Sequence, residues 1–314
     1  MTELPGSTAD EPAADAPPAP PATAPVIAEP ALDDGEIQGN VVPGFMKPHM
    51  RLVALRIDDA AAARRWLRSA VPRVTTFREA MGTRVQVREH RRRHPLTGDD
   101  RNAIIADDRD PLANPRPDGI NDAWFNLAIS HEGLSSIFAG DSTRLAELDA
   151  FEDPAFRLGL TQRSQLLGDP LDPGAEGHPS RWKVGSPGRE PHLLLIFAAD
   201  LAADLVELHQ EVMASAQGMT AVYEEDGAKL TARGSEHFGF KDGISQPGIR
   251  GRWGDAGEYV TPRTVDPSRQ PEASLYGLPG QHLVWPGEFV FGYPGQAADP
   301  LEPGLARQPG PAWS

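Results

Sequence analysis

The chain has 314 residues, a net charge of −15 and 39% hydrophobic residues, enough for one large or two ordinary domains with a true core. It has no cysteine, which removes disulfides, thiolate catalysis, Cys-ligated zinc and iron–sulfur clusters. The acidic balance is opposite to the basic face that phosphate neutralisation requires, so nucleic acid is not an expected partner.

The charge is uneven. Residues 1–36 hold Glu3, Asp10, Glu11, Asp15, Glu29, Asp33, Asp34 and Glu36 and no Lys or Arg. Residues 1–35 are dominated by Pro, Ala and acids, with too little apolar surface to offset the entropy of ordering, and read as a disordered tail of partly polyproline character. No apolar run is long enough to span a membrane. The start lacks the basic and apolar regions of a secretory signal, so the expectation is a soluble cytoplasmic protein without a membrane partner.

From Glu36 the pattern becomes regular. Arg51–Ile57 alternates as a strand. Asp58–Val71 follows as a helix, with Asp58 or Asp59 to cap it and Pro72 to close it. Arg88–Pro95, REHRRRHP, places His90 and His94 four apart, a metal pair if helical, but a solvated or partner-facing loop is favoured. Asp122–Ser130 reads as a strand and His131–Phe138 as a short helix capped by Ser130. A long irregular insert comes next. Pro191–Ala199 reads as a buried strand, and Asp200–Ala216 as a helix with Leu201, Leu205, Leu208 and Val212 on one face. Thr220–Glu225 is a strand, and beyond Asp226 only Gly287–Pro294, GEFVFGYP, is strand-like.

Four strands and two strand–helix units predict an α+β fold, a ferredoxin-like domain with an antiparallel sheet and flanking helices. The implied division is a tail over 1–35, a ferredoxin-like domain over 36–235, and a loop and linker over 236–314 leading toward an incomplete second domain.

The chemistry concentrates in EHFGFKDGISQPGIRG, Glu236–Gly251. Asp242 is the single acid of its tightest part. Glycines around it permit close backbone approach. Phe238, Phe240 and Ile244 supply apolar surface that raises a carboxyl pKa, which Lys241 opposes. A carboxyl so held can move protons near neutral pH. Asp-Gly is also a common turn dipeptide, and on the residues alone a surface turn is favoured. No phosphate-binding glycine loop and no GxSxG elbow is present. Tyr223, Tyr259, Trp253 and Trp285 are electron-relay candidates, though such aromatics are more often core.

GFKDGISQP resembles the GxxDG signature of the dye-decolorizing peroxidases. Blocks at Glu36–Ile57, Phe125–Ile137, Phe156–Asp169 and Pro286–Pro294 resemble that family in its order, and the resemblance runs from about Glu36 to Ser314. It implies a pair of ferredoxin-like domains around a haem (heme) cofactor. Asp242 would be the distal acid, moving a proton between the two oxygens of hydrogen peroxide. Phe240, Lys241, Gly243, Ile244 and Ser245 would pass beside the haem, and His237 would lie near its edge. An organic reductant would supply the electrons.

The family's proximal His and distal Arg lie well after GxxDG. Here His282 is the one histidine beyond Asp242, in a context that does not match the ligand motif, so no metal ligand is assigned. The resemblance therefore implies the N-terminal half of such a peroxidase, a split enzyme completed as a heterodimer by a C-terminal half-peroxidase chain. The alternative is a catalytically silent ferredoxin-like interaction protein or truncated pseudoenzyme.

Overall fold

A computed structural model describes residues 28–42, 44–45, 47–93, 120–230, 238–240, 246–254, 258–264, 275–278 and 280–296. The tail from 1 to 27 lies outside the described residues.

Strand β1 (His49–Ile57) runs into helix α1 (Ala60–Ala70). Asp59 is the cap, its Oδ1 accepting from the amides of Ala61 at 2.8 Å and Ala62 at 3.1 Å. Pro72 lies in the 3-10 turn Val71–Arg73 that closes the helix. Helix α2 (Phe77–Arg93) contains the basic run read as a loop, as far as Arg93. Its start is a capping box. Thr76 N–H donates to Glu79 Oε2 at 2.7 Å, and Glu79 N–H donates to Thr76 Oγ1 at 3.3 Å. Glu89 and Arg93, one turn apart, pair at 3.1 Å.

Strand β2 (Ala123–Ile129) leads to α3 (His131–Ile137), whose cap Ser130 accepts from Gly133 N–H at 3.1 Å. The insert taken as irregular holds two helices, α4 (Ser142–Asp149) and α5 (Pro154–Leu167). Gly159 kinks α5 at φ 63° and ψ −174°, a conformation open to little but glycine. Strand β3 (Leu193–Ala199), α6 (Ala202–Met213) and β4 (Met219–Ala228) complete the unit. Helix α6 starts later than the apolar stripe suggests. Leu201 is its cap residue, and Asp200 is drawn into a buried ion pair instead.

The four strands pair antiparallel in the order β2-β3-β1-β4, the ferredoxin-like arrangement. Alternation along the strands puts Val53, Leu55, Phe125, Leu195 and Phe197 on one face. Trp66, Ala63, Ile137, Leu205 and Val212 of the helices close over them as the main core. Leu52, Leu194 and Ile196 lie half-buried on the opposite face.

Edge strand β2 is covered by side chains and loops rather than by another strand. Thr75 exchanges hydrogen bonds with the Phe125 backbone at 2.8 and 3.0 Å, and the Gln38 amide does so with Leu127 at 2.9 and 3.0 Å. A second small core joins Leu32, Ile37, Val42 and Phe77 to Ile249, Trp253, Val260 and Tyr293. Residues 28–35, placed in the tail by composition, are thus partly packed, because Leu32 and Asp34 find partners far along the chain. Gly287–Pro294 is not a strand. Pro286 opens a 3-10 turn, and Gly287 N–H donates to Pro294 O at 2.9 Å, folding the run back on itself.

Lys47 and Asp200 form an ion pair at 2.6 Å with both side chains fully enclosed. Replacing Lys47 with Met leaves the Asp200 carboxylate buried without its counter-charge and should cost about 3–5 kcal/mol. Denaturant unfolding measures it, and a loss under about 1 kcal/mol would show the pair to be dispensable. A second expectation concerns acid. His209 Nδ1 lies 3.3 Å from the Arg51 guanidinium, which is itself bonded to Asp226 at 2.6 and 2.8 Å. Burial holds His209 below its ordinary 6.5, Glu224 opposing the shift and Arg51 adding to it. The unfolded chain then binds the proton first as pH falls through 6.5, so this site's stability is complete above that pH and lost below it. The Arg51 hydrogen bond lowers Asp226 from 3.8, so its contribution is present above 3.8 and is lost only in stronger acid. His209→Gln should flatten the fall in Tm between about pH 7 and pH 5. An unchanged slope would remove His209 as its source.

Candidate functional site

The loop holding Asp242 is bracketed by two described segments. On its incoming side Phe238 and Phe240 point outward, Phe240 with 73% of its surface exposed. Asp242, Lys241, Gly243, Ile244, Ser245 and His237 lie outside the described residues. Of the site residues named from the sequence, the structure therefore places Phe240.

The outgoing side is held on three fronts. Strand β5 (Gly248–Ile249) pairs parallel with β8 (Leu283–Val284). Gly248 N–H donates to His282 O at 2.7 Å, and Arg250 N–H to Val284 O at 2.9 Å. A methyl group at Gly248 would fall 2.8 Å from both Leu283 Cδ2 and Thr261 Cγ2, so this contact requires glycine. Ile249 N–H donates to Thr261 Oγ1 at 2.7 Å. Strand β6 (Arg252–Trp253) then turns back against β7 (Glu258–Tyr259).

The third front comes from the far end of the chain. Pro30–Leu32 runs beside Arg252, which donates its N–H to Pro30 O at 2.9 Å while Leu32 N–H donates to Arg252 O at 2.8 Å. This brings the Glu29 carboxylate onto the loop's exit. It accepts from Gly251 N–H at 2.7 Å and from Arg263 Nη2 at 2.7 Å to each oxygen. Arg250 Nη1 lies 3.8 Å away, and the Arg250 side chain, 1% exposed, stacks over Trp285 at 5.4 Å. One carboxylate thus faces two guanidiniums in a largely dry setting, where charge-assisted hydrogen bonds are strong. The sequence reading missed Glu29, Arg250 and Arg263. Glu29 lies 222 positions from Gly251 and 234 from Arg263, and no local pattern joins them.

An apolar cleft lies elsewhere, between α3, α4 and the start of α5. It has a volume of about 480 Å³ and apolar walls formed by Leu134, Phe138, Leu148, Phe151, Phe156 and Phe291. Phe151 meets Phe156 at 5.1 Å and Phe291 at 5.8 Å, both near edge-on. Neither this cleft nor the shallower one beside it is lined by a histidine. His192 is buried and accepts the Ile57 amide at Nδ1, 3.1 Å, and His282 packs on Tyr276 at 5.5 Å. Among the described residues no group of three metal-binding side chains gathers. His90 lies on α2, while His94 falls outside the described residues. Of the relay candidates, Trp285 is buried, Trp253 belongs to the second core, and Tyr223 donates its hydroxyl to Glu225 at 2.7 Å. Tyr259 is half exposed beneath the Arg263 guanidinium. No helix among the described residues is long and apolar enough to cross a membrane.

Comparison with known proteins gives this architecture its context. The family model for the DyP dimeric alpha+beta barrel domain matches residues 36–229. The chain is 26% identical to a dye-decolorizing peroxidase of Mycena epipterygia over 280 residues, 88% of this chain and 40% of that one. It is 25% identical to Peroxidase 2 of Mycetinis scorodonius over 276 residues, 87% of this chain and 40% of that one. Among solved structures, an ancestral D-type dye-decolorizing peroxidase superposes with a TM-score of 0.57 at 25% identity, covering 86% of this chain and 47% of the other. The chain thus spans about 40% of the length of the curated relatives it matches. With the strand order, the helix-backed sheet and the family match in agreement, the chain belongs to the dye-decolorizing peroxidase family.

Proposed function

We propose that this chain is the N-terminal, distal-acid half of a haem-dependent peroxidase, active when a C-terminal half-peroxidase chain supplies the proximal His and the distal Arg. The observation that carries this reading is the family match over residues 36–229, which ends just ahead of the GxxDG-like loop. Haem would be shared between the halves and would supply the redox chemistry. Hydrogen peroxide and an organic reductant would be the substrates.

In this reading the chain's own contribution is acid–base. The Asp242 carboxylate accepts the proton from one peroxide oxygen and returns it to the other as the O–O bond breaks, so that the leaving oxygen departs as water. Such a transfer demands placement within hydrogen-bond reach, and loop anchoring serves that demand. The exit clamp of Glu29, Arg250 and Arg263, with the β5–β8 pairing, fixes the backbone from Gly248 onward. Small residues at Gly243 and Ser245 would let the backbone approach the cofactor, with Ile244 excluding water and raising the carboxyl pKa. Lys241 and His237 would hold acidic groups at the cofactor's edge.

The second reading is a catalytically silent interaction protein or truncated pseudoenzyme. The outward-facing Phe238 and Phe240 favour it, because two exposed aromatics on one loop are binding surface whether or not chemistry follows.

An absorption spectrum separates the two. The chain is purified with haem, alone and after co-expression with a candidate C-terminal half. A Soret band and peroxide turnover are expected only in the co-expressed sample. Asp242→Asn should keep the Soret band and lower turnover by about 10²–10⁴-fold. Absence of haem uptake in both samples would retire the peroxidase reading in favour of the silent one.

A further inference from the structure

Two clefts beside helix α3 share a wall, and their chemistries differ. The apolar one, between α3, α4 and α5, has a volume of about 480 Å³, within the usual size of a small-molecule site. Four of its walls are rings, Phe138, Phe151, Phe156 and Phe291. Phe156 stands edge-on to Phe151 at 5.1 Å and to the His131 ring at 5.7 Å, which braces the lining from behind. The second cleft, about 330 Å³, adjoins the first and is lined by Arg64, Arg144 and the turn at residues 137–141. Phe138 and Arg144 belong to both clefts.

The charge at their junction is positive. The Arg144 guanidinium lies 5.7 Å from the Phe138 ring centroid and is in no ion pair. Arg64 gives Nη1 to Ile137 O at 2.5 Å and is in no ion pair either. Two of the acids on the walls are occupied as helix caps. Asp141 accepts the Arg144 N–H at 3.1 Å, and Asp153 accepts the amides of Ala155 and Phe156 at 2.6 and 3.2 Å. Glu147 is the remaining acid, and its side chain is exposed to solvent. A guanidinium is planar, weakly hydrated and matched to a carboxylate by paired donors. We infer that the joined clefts bind a small amphipathic carboxylate. Its apolar body, of aromatic size, fills the phenylalanine cleft, and its carboxylate meets Arg144, with Arg64 adding charge. A neutral body would leave the guanidinium unused, and a cation would face two arginines. None of these residues belongs to the Asp242 loop or to its clamp, so the inference goes beyond the peroxidase reading and does not rest on it.

The test is titration calorimetry of the full 314-residue chain with 2-naphthoate, its neutral amide and the cationic naphthylmethylammonium. Naphthoate should bind about fivefold or more tightly than either counterpart. Arg144→Gln should weaken naphthoate by about fivefold, to the level of the amide, without moving the amide's affinity or the Tm, since the Arg144 side chain is already exposed. Glu147→Gln should tighten naphthoate by removing a like charge. Phe291→Ala, at a side chain 58% exposed, should weaken all three probes alike. Arg68→Gln, on α1 and outside both clefts, should change nothing. Raising salt from about 0.05 to 0.5 M should weaken naphthoate and spare the amide. No naphthoate binding, or binding of the ammonium as tightly as the carboxylate, would overturn the inference. So would an affinity for naphthoate that survives Arg144→Gln or Phe291→Ala unchanged, or one that Arg68→Gln lowers as much as Arg144→Gln does.

Discussion

The buried pair of Lys47 and Asp200 is the constraint around which the sheet is assembled. Asp200 Oδ2 accepts from Lys47 Nζ at 2.6 Å and from Asp122 N–H at 3.0 Å, and Lys47 stands 3.8 Å over the Trp124 ring. Asp122 in turn takes hydrogen bonds from Trp124 Nε1 at 2.6 Å and Thr83 Oγ1 at 2.9 Å. One connected polar set thus joins the entry to β1, the start of β2, the end of β3 and helix α2. An apolar contact there would hold the same elements with less directional demand. A charge pair with bonded neighbours tolerates one arrangement, because each unpaired member would stay buried at several kcal/mol.

That arrangement fixes the candidate site only indirectly. The sheet sets the second core, in which α2 presents Phe77 toward Trp253 at 6.2 Å. The second core then receives the segment after the Asp242 loop. The Glu29 carboxylate closes the assembly from the chain's other end, so the exit of the loop is gripped between two pieces of sequence more than 200 positions apart. The entry, by contrast, offers Phe238 and Phe240 to the outside. Helix α5 also turns leucines outward, Leu166 with 82% of its surface exposed.

The elements legible in the sequence were those whose cause is local. Alternation announced β1 and a continuous apolar run announced β3, and cap residues at Asp59 and Ser130 announced the starts of α1 and α3. Helix α2 had its own local sign, the Thr76–Glu79 capping box, but only Phe77, Ala80 and Val87 of its described side chains are buried, too thin a stripe to stand out. Helices α4 and α5 were hidden in the insert because their apolar residues do not follow one buried face, and Gly159 breaks the period of α5.

By itself the sequence determined the antiparallel, helix-backed sheet and the GxxDG-like loop with its one acid, because periodicity and short motifs are written in neighbouring residues. Tertiary structure alone decided that part of an acidic, proline-rich start is packed, that Arg250 is buried rather than exposed, and that Leu166 faces outward. Each of these depends on which distant group arrives. Glu29 makes a buried arginine tolerable by bringing an opposite charge from across the chain, and α5 shows leucine because, among the described residues, no element covers that face.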